Sequence, residues 1–169
     1  LGETKLTMEP VNLRELAEEV AAHLGVLAEE KGQSMVVNAQ GAPIAQSDRL
    51  MLRQSLINLV DNAIKYTPPG GKILLRAYES PSAAVIEVVD NGPGIVEELR
   101  SRIFDRYYRA GETRSAEVRG TGLGLSITKW LVEVNNGQLS VEPTEGGGST
   151  FRIALPRAAR AQDARRRTA

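Results

Sequence analysis

Residues 58–66 read Asn58-Leu59-Val60-Asp61-Asn62-Ala63-Ile64-Lys65-Tyr66, and their periodicity decides how the rest of the chain is parsed. Leu56, Ile57, Leu59, Val60, Ala63 and Ile64 supply the apolar positions of a helix, while Asn58, Asn62 and Lys65 stand at i, i+4 and i+7. At about 100° per residue these three polar side chains fall within roughly 60° of one another. Two carboxamide oxygens and one ammonium on one stripe suit a hard cation and the phosphates it bridges. A solvated helix face is the simpler account of the same spacing. Ser47 or Asp48 caps the start of this helix, which runs from Arg49 to Tyr66 and is stopped by Pro68-Pro69-Gly70-Gly71.

Upstream, residues 12–31 open on a capping-box pattern, Asn12 followed by Glu15, and carry Leu13, Leu16, Ala17, Val20, Leu24 and Leu27 at helical spacing up to Gly32. Met35 to Ala39 and Ile44-Ala45 are short strand candidates around a Gly41-Ala42-Pro43 turn. Downstream, Lys72 to Glu79 and Ala84 to Asp90 form a hairpin through Ser80-Pro81-Ser82. A short helix near Val96 to Arg102 leads into an Arg-rich stretch, of which 105–119 reads as a mobile loop. A helix from Leu123 to Val134 ends at Asn135-Asn136-Gly137, a left-handed type of ending. Strands at Gln138 to Glu142 and Thr150 to Leu155 flank Gly146-Gly147-Gly148.

Composition removes whole classes of chemistry. With no cysteine in 169 residues there is no disulfide, thiolate zinc site, iron–sulfur cluster or cysteine nucleophile, and a single histidine, His23, excludes any site needing two imidazoles. No window reaches the 18 or more apolar residues of a membrane span. The 21 Lys+Arg balance 21 Asp+Glu, but residues 157–169 hold five Arg and one Asp, so a +4 tail follows a body of −4. That tail reads as a solvated, disordered end, which gives no reason to expect nucleic acid as a partner.

Two glycine-containing stretches carry further chemistry. Asp90-Asn91-Gly92-Pro93-Gly94-Ile95 follows a strand, where an Asp accepts hydrogen bonds from an exocyclic amine and glycines let backbone approach a flat ring; a plain turn uses the same residues. Gly120-Thr121-Gly122-Leu123-Gly124-Leu125 opens a helix, whose first N–H groups form an anion site. It is neither a Walker loop, since no Lys-Ser/Thr follows the last glycine, nor a dinucleotide fingerprint, since its third glycine comes one residue early.

Together with Phe104-Asp105-Arg106-Tyr107-Tyr108-Arg109 and Gly146-Gly147-Gly148-Ser149-Thr150-Phe151, these stretches closely resemble, in order, the N, G1, F, G2 and G3 boxes of the catalytic ATP-binding domain of bacterial sensor histidine kinases, of the GHKL superfamily. The resemblance covers residues 11–156. It implies a two-layer α/β sandwich, the Bergerat fold, with three helices on a mixed, mainly antiparallel five-stranded sheet and ATP held under a lid.

Carried over box by box, the resemblance implies Asn62 as the Mg²⁺ ligand, Asn58 as a neighbouring polar group for metal waters or phosphates, Lys65 as a phosphate contact and Tyr66 beside the nucleotide. Asp90 would accept from the adenine amino group with Thr150 supporting it, and Gly92, Gly94 and Ile95 would shape the pocket. Residues 105–119 would be the lid, Gly120, Thr121, Gly122, Leu123 and Gly124 the phosphate-binding backbone, and Arg106 or Arg109 would neutralise phosphate charge. Phe104 serves either the core or lid docking. Two departures stand out: Tyr107 where Phe is usual, and Asn135-Asn136-Gly137 where the family often has His-Gly-Gly. Neither is expected to touch the reaction.

The family's phosphoacceptor box, His-Glu/Asp-x-x-x-Pro, has no match, because His23 precedes Leu24-Gly25-Val26 and reads as a partly buried or surface histidine. Residues 1–10 read as the end of a dimerisation hairpin and its linker. The resemblance therefore implies a cytoplasmic, monomeric catalytic piece of a membrane-bound, homodimeric sensor, with its own dimerisation domain and a cognate response regulator as partners, and no autophosphorylation by this piece. Two other functions compete. Hydrolytic clamps of the gyrase, heat-shock chaperone and mismatch-repair branch place a Glu where this chain has Asn58, and a carboxamide is a poor general base. A non-catalytic nucleotide-binding regulator is the other, against which the intact N, G1 and G2 stretches argue.

Overall fold

The computed structural model describes residues 5–105 and 124–159. In chain order the elements are β1 (Met8–Asn12), α1 (Leu13–Glu30), β2 (Ser34–Ala39), β3 (Ile44–Asp48), α2 (Arg49–Tyr66), β4 (Lys72–Glu79), β5 (Ala84–Asp90), α3 (Glu97–Arg100), α4 (Gly124–Val134), β6 (Gln138–Pro143) and β7 (Ser149–Leu155). Five strands form one sheet in the order β2-β4-β5-β7-β6, with β2 parallel to β4 and every other pair antiparallel. Helices α1, α2 and α4 cover one face of it. The mixed five-stranded sandwich expected from the sequence is therefore the fold of this chain.

Alternation sets the two faces. In β4, Ile73, Leu75 and Ala77 are buried towards the helices, and Leu74, Arg76 and Tyr78 point the other way. The helix-side layer meets Leu16, Val20, Leu24, Leu56, Leu59 and Val60 in a single apolar core, which also takes in Phe151, Ile153 and Leu155 of β7. Phe104 packs edge-on against Phe151 with ring centroids 6.3 Å apart, so its core role is visible directly.

The uncovered face holds one feature that no sequence motif announced. Glu87 lies on that face yet is completely buried, because Arg76 Nε (2.7 Å) and Arg152 Nε (2.6 Å) donate to it from the flanking strands and Tyr78 Oη donates at 3.1 Å. Arg152 continues to Glu142 at 2.8 Å. Arg76 and Arg152 are the direct cross-strand partners of Glu87, so the ladder pins the register of β4, β5 and β7. Burial, followed by the Glu87 charge, raises the Tyr78 pKa above its ordinary value.

Two expectations need correction. Residues 8–10, placed in a linker, belong to β1, which pairs antiparallel with β3 in a separate two-stranded sheet and buries Val11 in the core. Its outer residues Glu9 and Pro10 are exposed, so no apolar alternation betrayed it. Arg157, placed in the tail, forms a β-bridge with Ala45 and donates to Pro81 O at 3.2 Å. Of the candidate sites, Arg106, Arg109, Gly120, Thr121, Gly122 and Leu123 lie outside the described residues, as do 106–119 of the lid.

Candidate nucleotide site

Helix α2 carries the stripe Asn58, Asn62 and Lys65, and both of its ends are held. At the start, Asp48 is the N-cap: its Oδ1 accepts from Met51 N at 3.1 Å, and its Oδ2 from Thr7 N at 3.0 Å. The far end is stabilised by chain from beyond α1. Lys31 Nζ donates to the carbonyls of Ile64 (2.8 Å) and Lys65 (2.9 Å), and Gln33 Nε2 to those of Ile64 (2.9 Å) and Thr67 (2.5 Å). An ammonium on the last carbonyls also opposes the negative end of the helix dipole.

On the stripe the three residues differ. Asn62 is half-buried and makes no side-chain hydrogen bond among the described residues, so its carboxamide is available to a ligand. Lys65 is exposed and pairs with Asp61 at 3.0 Å, a contact weak enough at the surface to be exchanged for phosphate. Asn58 is already engaged: its Oδ1 accepts from Gln54 at 2.7 Å, and its Nδ2 donates to Thr128 Oγ1 at 3.1 Å. The Thr128 hydroxyl in turn donates to Gly124 O at 2.7 Å. Asn58 therefore ties the N stretch to the first turn of α4. Thr128, a polar residue on the buried side of α4, is the one sequence signal for this contact.

Asp90 ends β5, and its side chain is 8% exposed. Its Oδ1 accepts from Gly92 N (3.0 Å) and from Ser149 N (3.3 Å), which leaves Oδ2 for a ligand. Burial pushes the Asp90 carboxyl above the usual range, and the two N–H donors oppose that shift. The expected support from Thr150 takes another form: the backbone of Ser149 reaches Asp90, whereas the Thr150 hydroxyl pairs with Thr144 at 3.0 Å. Both belong to β7, whose entry turn is pressed onto Asp90. Gly148 has φ +102°, and a Cβ there would collide with the Asp90 carbonyl, so only glycine permits the approach.

The G1 and G3 stretches also meet through Gly94, which sits against Gly148 O. Gly92 abuts the end of α2 at Tyr66 O, and Ile95 packs on the core from the same loop. Lys72 N donates to Asn91 Oδ1 at 2.7 Å and fixes the loop to β4. Thus the N, G1 and G3 stretches converge on the buried Asp90 carboxylate, and Asn58 brings α4 alongside.

Sequence reasoning missed Asn135. It is 2% exposed; its Oδ1 accepts from Asp48 N (2.7 Å) and Ser47 Oγ (3.1 Å), and its Nδ2 donates to Leu131 O (2.7 Å). Asn136, with φ 61°, makes the left-handed ending that the sequence predicts. His23 is exposed on α1.

Helix ends and glycine turns of this two-layer sandwich are thus gathered on one buried carboxylate, and this is the candidate nucleotide site. Residues 47–159 match the family of histidine kinase-, DNA gyrase B-, and HSP90-like ATPases, and the chain belongs to that family. Among curated relatives it is 36% identical to the sensor histidine kinase TmoS of Ectopseudomonas mendocina, over 89% of this chain and 16% of that protein. It is 38% identical to the adaptive-response sensory kinase SasA of Crocosphaera subtropica, over 86% of this chain and 38% of that protein. The chain thus spans well under half the length of these relatives. In structure it resembles full-length ShkA in complex with AMPPNP, with a TM-score of 0.82, 30% identity, and coverage of 95% of this chain and 33% of that one. The catalytic domain of histidine kinase ThkA is similar throughout its length, with a TM-score of 0.78, 27% identity, and coverage of 92% of this chain and 100% of that one.

Proposed function

We propose that this chain is the Mg²⁺-ATP-binding catalytic domain of a sensor histidine kinase, donating the γ-phosphoryl group to a histidine on a separate dimerisation domain. The observation that carries the reading is the buried Asp90 carboxylate, held by Gly92 N and Ser149 N with one oxygen still open, beside a helix that offers Asn62 and Lys65. The residues fit the group: Asp90 accepts from a purine amino group, Asn62 holds a divalent cation, and Lys65 leaves Asp61 to meet phosphate oxygens. Tyr66 and Ile95 border the base, with Thr150 behind it. Arg106, Arg109 and the backbone of 120–124 are assigned to the phosphates. Bound Mg²⁺-ATP supplies the electrophilic phosphorus and the metal charge that stabilises the transferred group.

Transfer is favoured over hydrolysis by Asn58, whose carboxamide is tied to Gln54 and Thr128 and is no base for water. The partners of this reading are the dimerisation domain and a response regulator of the same signalling system, and its setting is the cytoplasmic side of a bacterial sensor. Among the described residues no helix is long and apolar enough to cross a membrane.

Calorimetry tests the reading: ATP binds in a Mg²⁺-dependent manner, and Asn62→Ala abolishes most of that binding with the circular dichroism spectrum unchanged. Incubated with γ-labelled ATP and a separately made dimerisation domain, the chain labels only that domain. Label on His23, or steady phosphate release without an acceptor, overturns it.

A further inference from the structure

Thr128 has no exposed surface on the inner side of α4, where packing alone asks for no hydroxyl. That hydroxyl is used twice. Its single proton goes to Gly124 O at 2.7 Å, one helical turn back, and its oxygen accepts from Asn58 Nδ2 at 3.1 Å. With the proton committed, Thr128 presents only lone pairs to Asn58.

A carboxamide has two ends of nearly equal size, one a donor and one an acceptor, and its neighbours decide which end faces where. Turned over, Asn58 would set Oδ1 against the Thr128 oxygen, acceptor against acceptor, and the contact would be lost. Gln54 does not make this choice: it is exposed, and its own amide can rotate to meet either end of Asn58, whereas Thr128 is buried and fixed. Asn58 therefore keeps Nδ2 towards α4 and Oδ1 on the exposed side, where Gln54 Nε2 donates at 2.7 Å. Donor and acceptor are thereby separated along the α2 stripe, with an oxygen at Asn58 and an ammonium at Lys65.

We infer that Thr128 is a positioning residue of the nucleotide site: by holding the nitrogen of the Asn58 carboxamide, it leaves the oxygen as the end that Asn58 offers to a ligand. This deepens the proposed Mg²⁺-ATP reading and rests on it. An oxygen accepts from the water around a divalent cation, whereas an N–H would meet a phosphate oxygen. Thr128 thus commits Asn58 to the cation's water and leaves the phosphates to Lys65, although it touches neither. Gln54, an exposed partner, gives way to that water at little cost.

The test is calorimetry of the whole chain with Thr128→Val and Thr128→Ser, using ATP with saturating Mg²⁺ and ATP in EDTA, together with the NMR signals of the Asn58 side-chain NH₂ in the nucleotide-free chain. Thr128→Val is expected to raise the Kd for Mg²⁺-ATP about three- to tenfold while the Kd for ATP in EDTA is unchanged, and to shift the Asn58 NH₂ signals. Thr128→Ser restores both. A merely structural role would weaken binding equally with and without the metal. That result, an unchanged Kd for Mg²⁺-ATP, or an unmoved Asn58 signal each overturns the inference. The parent chain separates the two levels: if it binds ATP no better with Mg²⁺ than in EDTA, the Mg²⁺-ATP reading itself fails, whatever Thr128 does to the amide.

Discussion

The side-chain oxygen of Asn135 lies 2.7 Å from the backbone nitrogen of Asp48, across 87 residues of chain. This single carboxamide joins the last turn of α4 to the cap of α2. With the Asn58–Thr128 bond it is a second tie between these two helices.

Asn135→Ala leaves Asp48 N–H, Ser47 Oγ and Leu131 O without their partner. A loss of about 3 kcal/mol in urea unfolding is expected, since each stranded buried group costs about 1–3 kcal/mol and water recovers part of it. A change below about 0.5 kcal/mol would show that the contact is incidental.

Glu87→Gln keeps the shape of the buried ladder and removes its only central negative charge. Arg76 and Arg152 then face each other across a neutral amide. The expected destabilisation is about 2 kcal/mol, below the roughly 3–5 kcal/mol of a fully buried broken pair because both guanidinium groups retain water. Urea midpoints of the two proteins at low and high salt give the measurement, and the difference narrows as salt rises.

Asp90 has a pH signature. Its carboxyl is raised by burial above the ordinary 3.8, so the folded chain binds this proton more tightly than the unfolded chain. The favourable contribution is complete below 3.8 and is lost as the pH climbs through the folded value. At neutral pH the ionised group therefore costs stability. Asp90→Asn, which still accepts from Gly92 and Ser149, is expected to unfold at higher urea than the parent at pH 7 and to lose that advantage as the pH falls towards 3.8. The same variant binds ATP roughly tenfold more weakly or worse. Equal stability at every pH would remove the assignment of strain to this carboxylate.

Much of the fold was legible because period and punctuation agreed. Lys72 to Glu79 alternates cleanly, Asp48 and Asn12 cap where apolar periodicity begins, and Asn136 takes the left-handed turn that its position suggests. The exposed outer residues of β1 hid it, and the two candidate strands around Pro43 join different sheets, a long-range choice that local spacing does not encode. The site divided in the same way. Asp90 and Asn62 stood in recognisable stretches, whereas Thr128 and Asn135 are ordinary residue types whose roles come from partners far along the chain. Asn58 was recognisable, but its engagement with Gln54 and Thr128 was not.

β7 is the last strand of the sheet in sequence, yet it lies between β5 and β6. The Ser149 N–H that completes the hold on Asp90 arrives with it. During synthesis the N and G1 stretches leave the ribosome well before that donor exists, so on the proposed reading ATP stabilises the finished sheet and not its earlier parts. A chain stopped at residue 143 is expected to show no ATP-dependent protection from protease. Detectable protection would mean that Asp90 is already organised without β7. On the proposed reading, nucleotide binding marks the arrival of the closing strand.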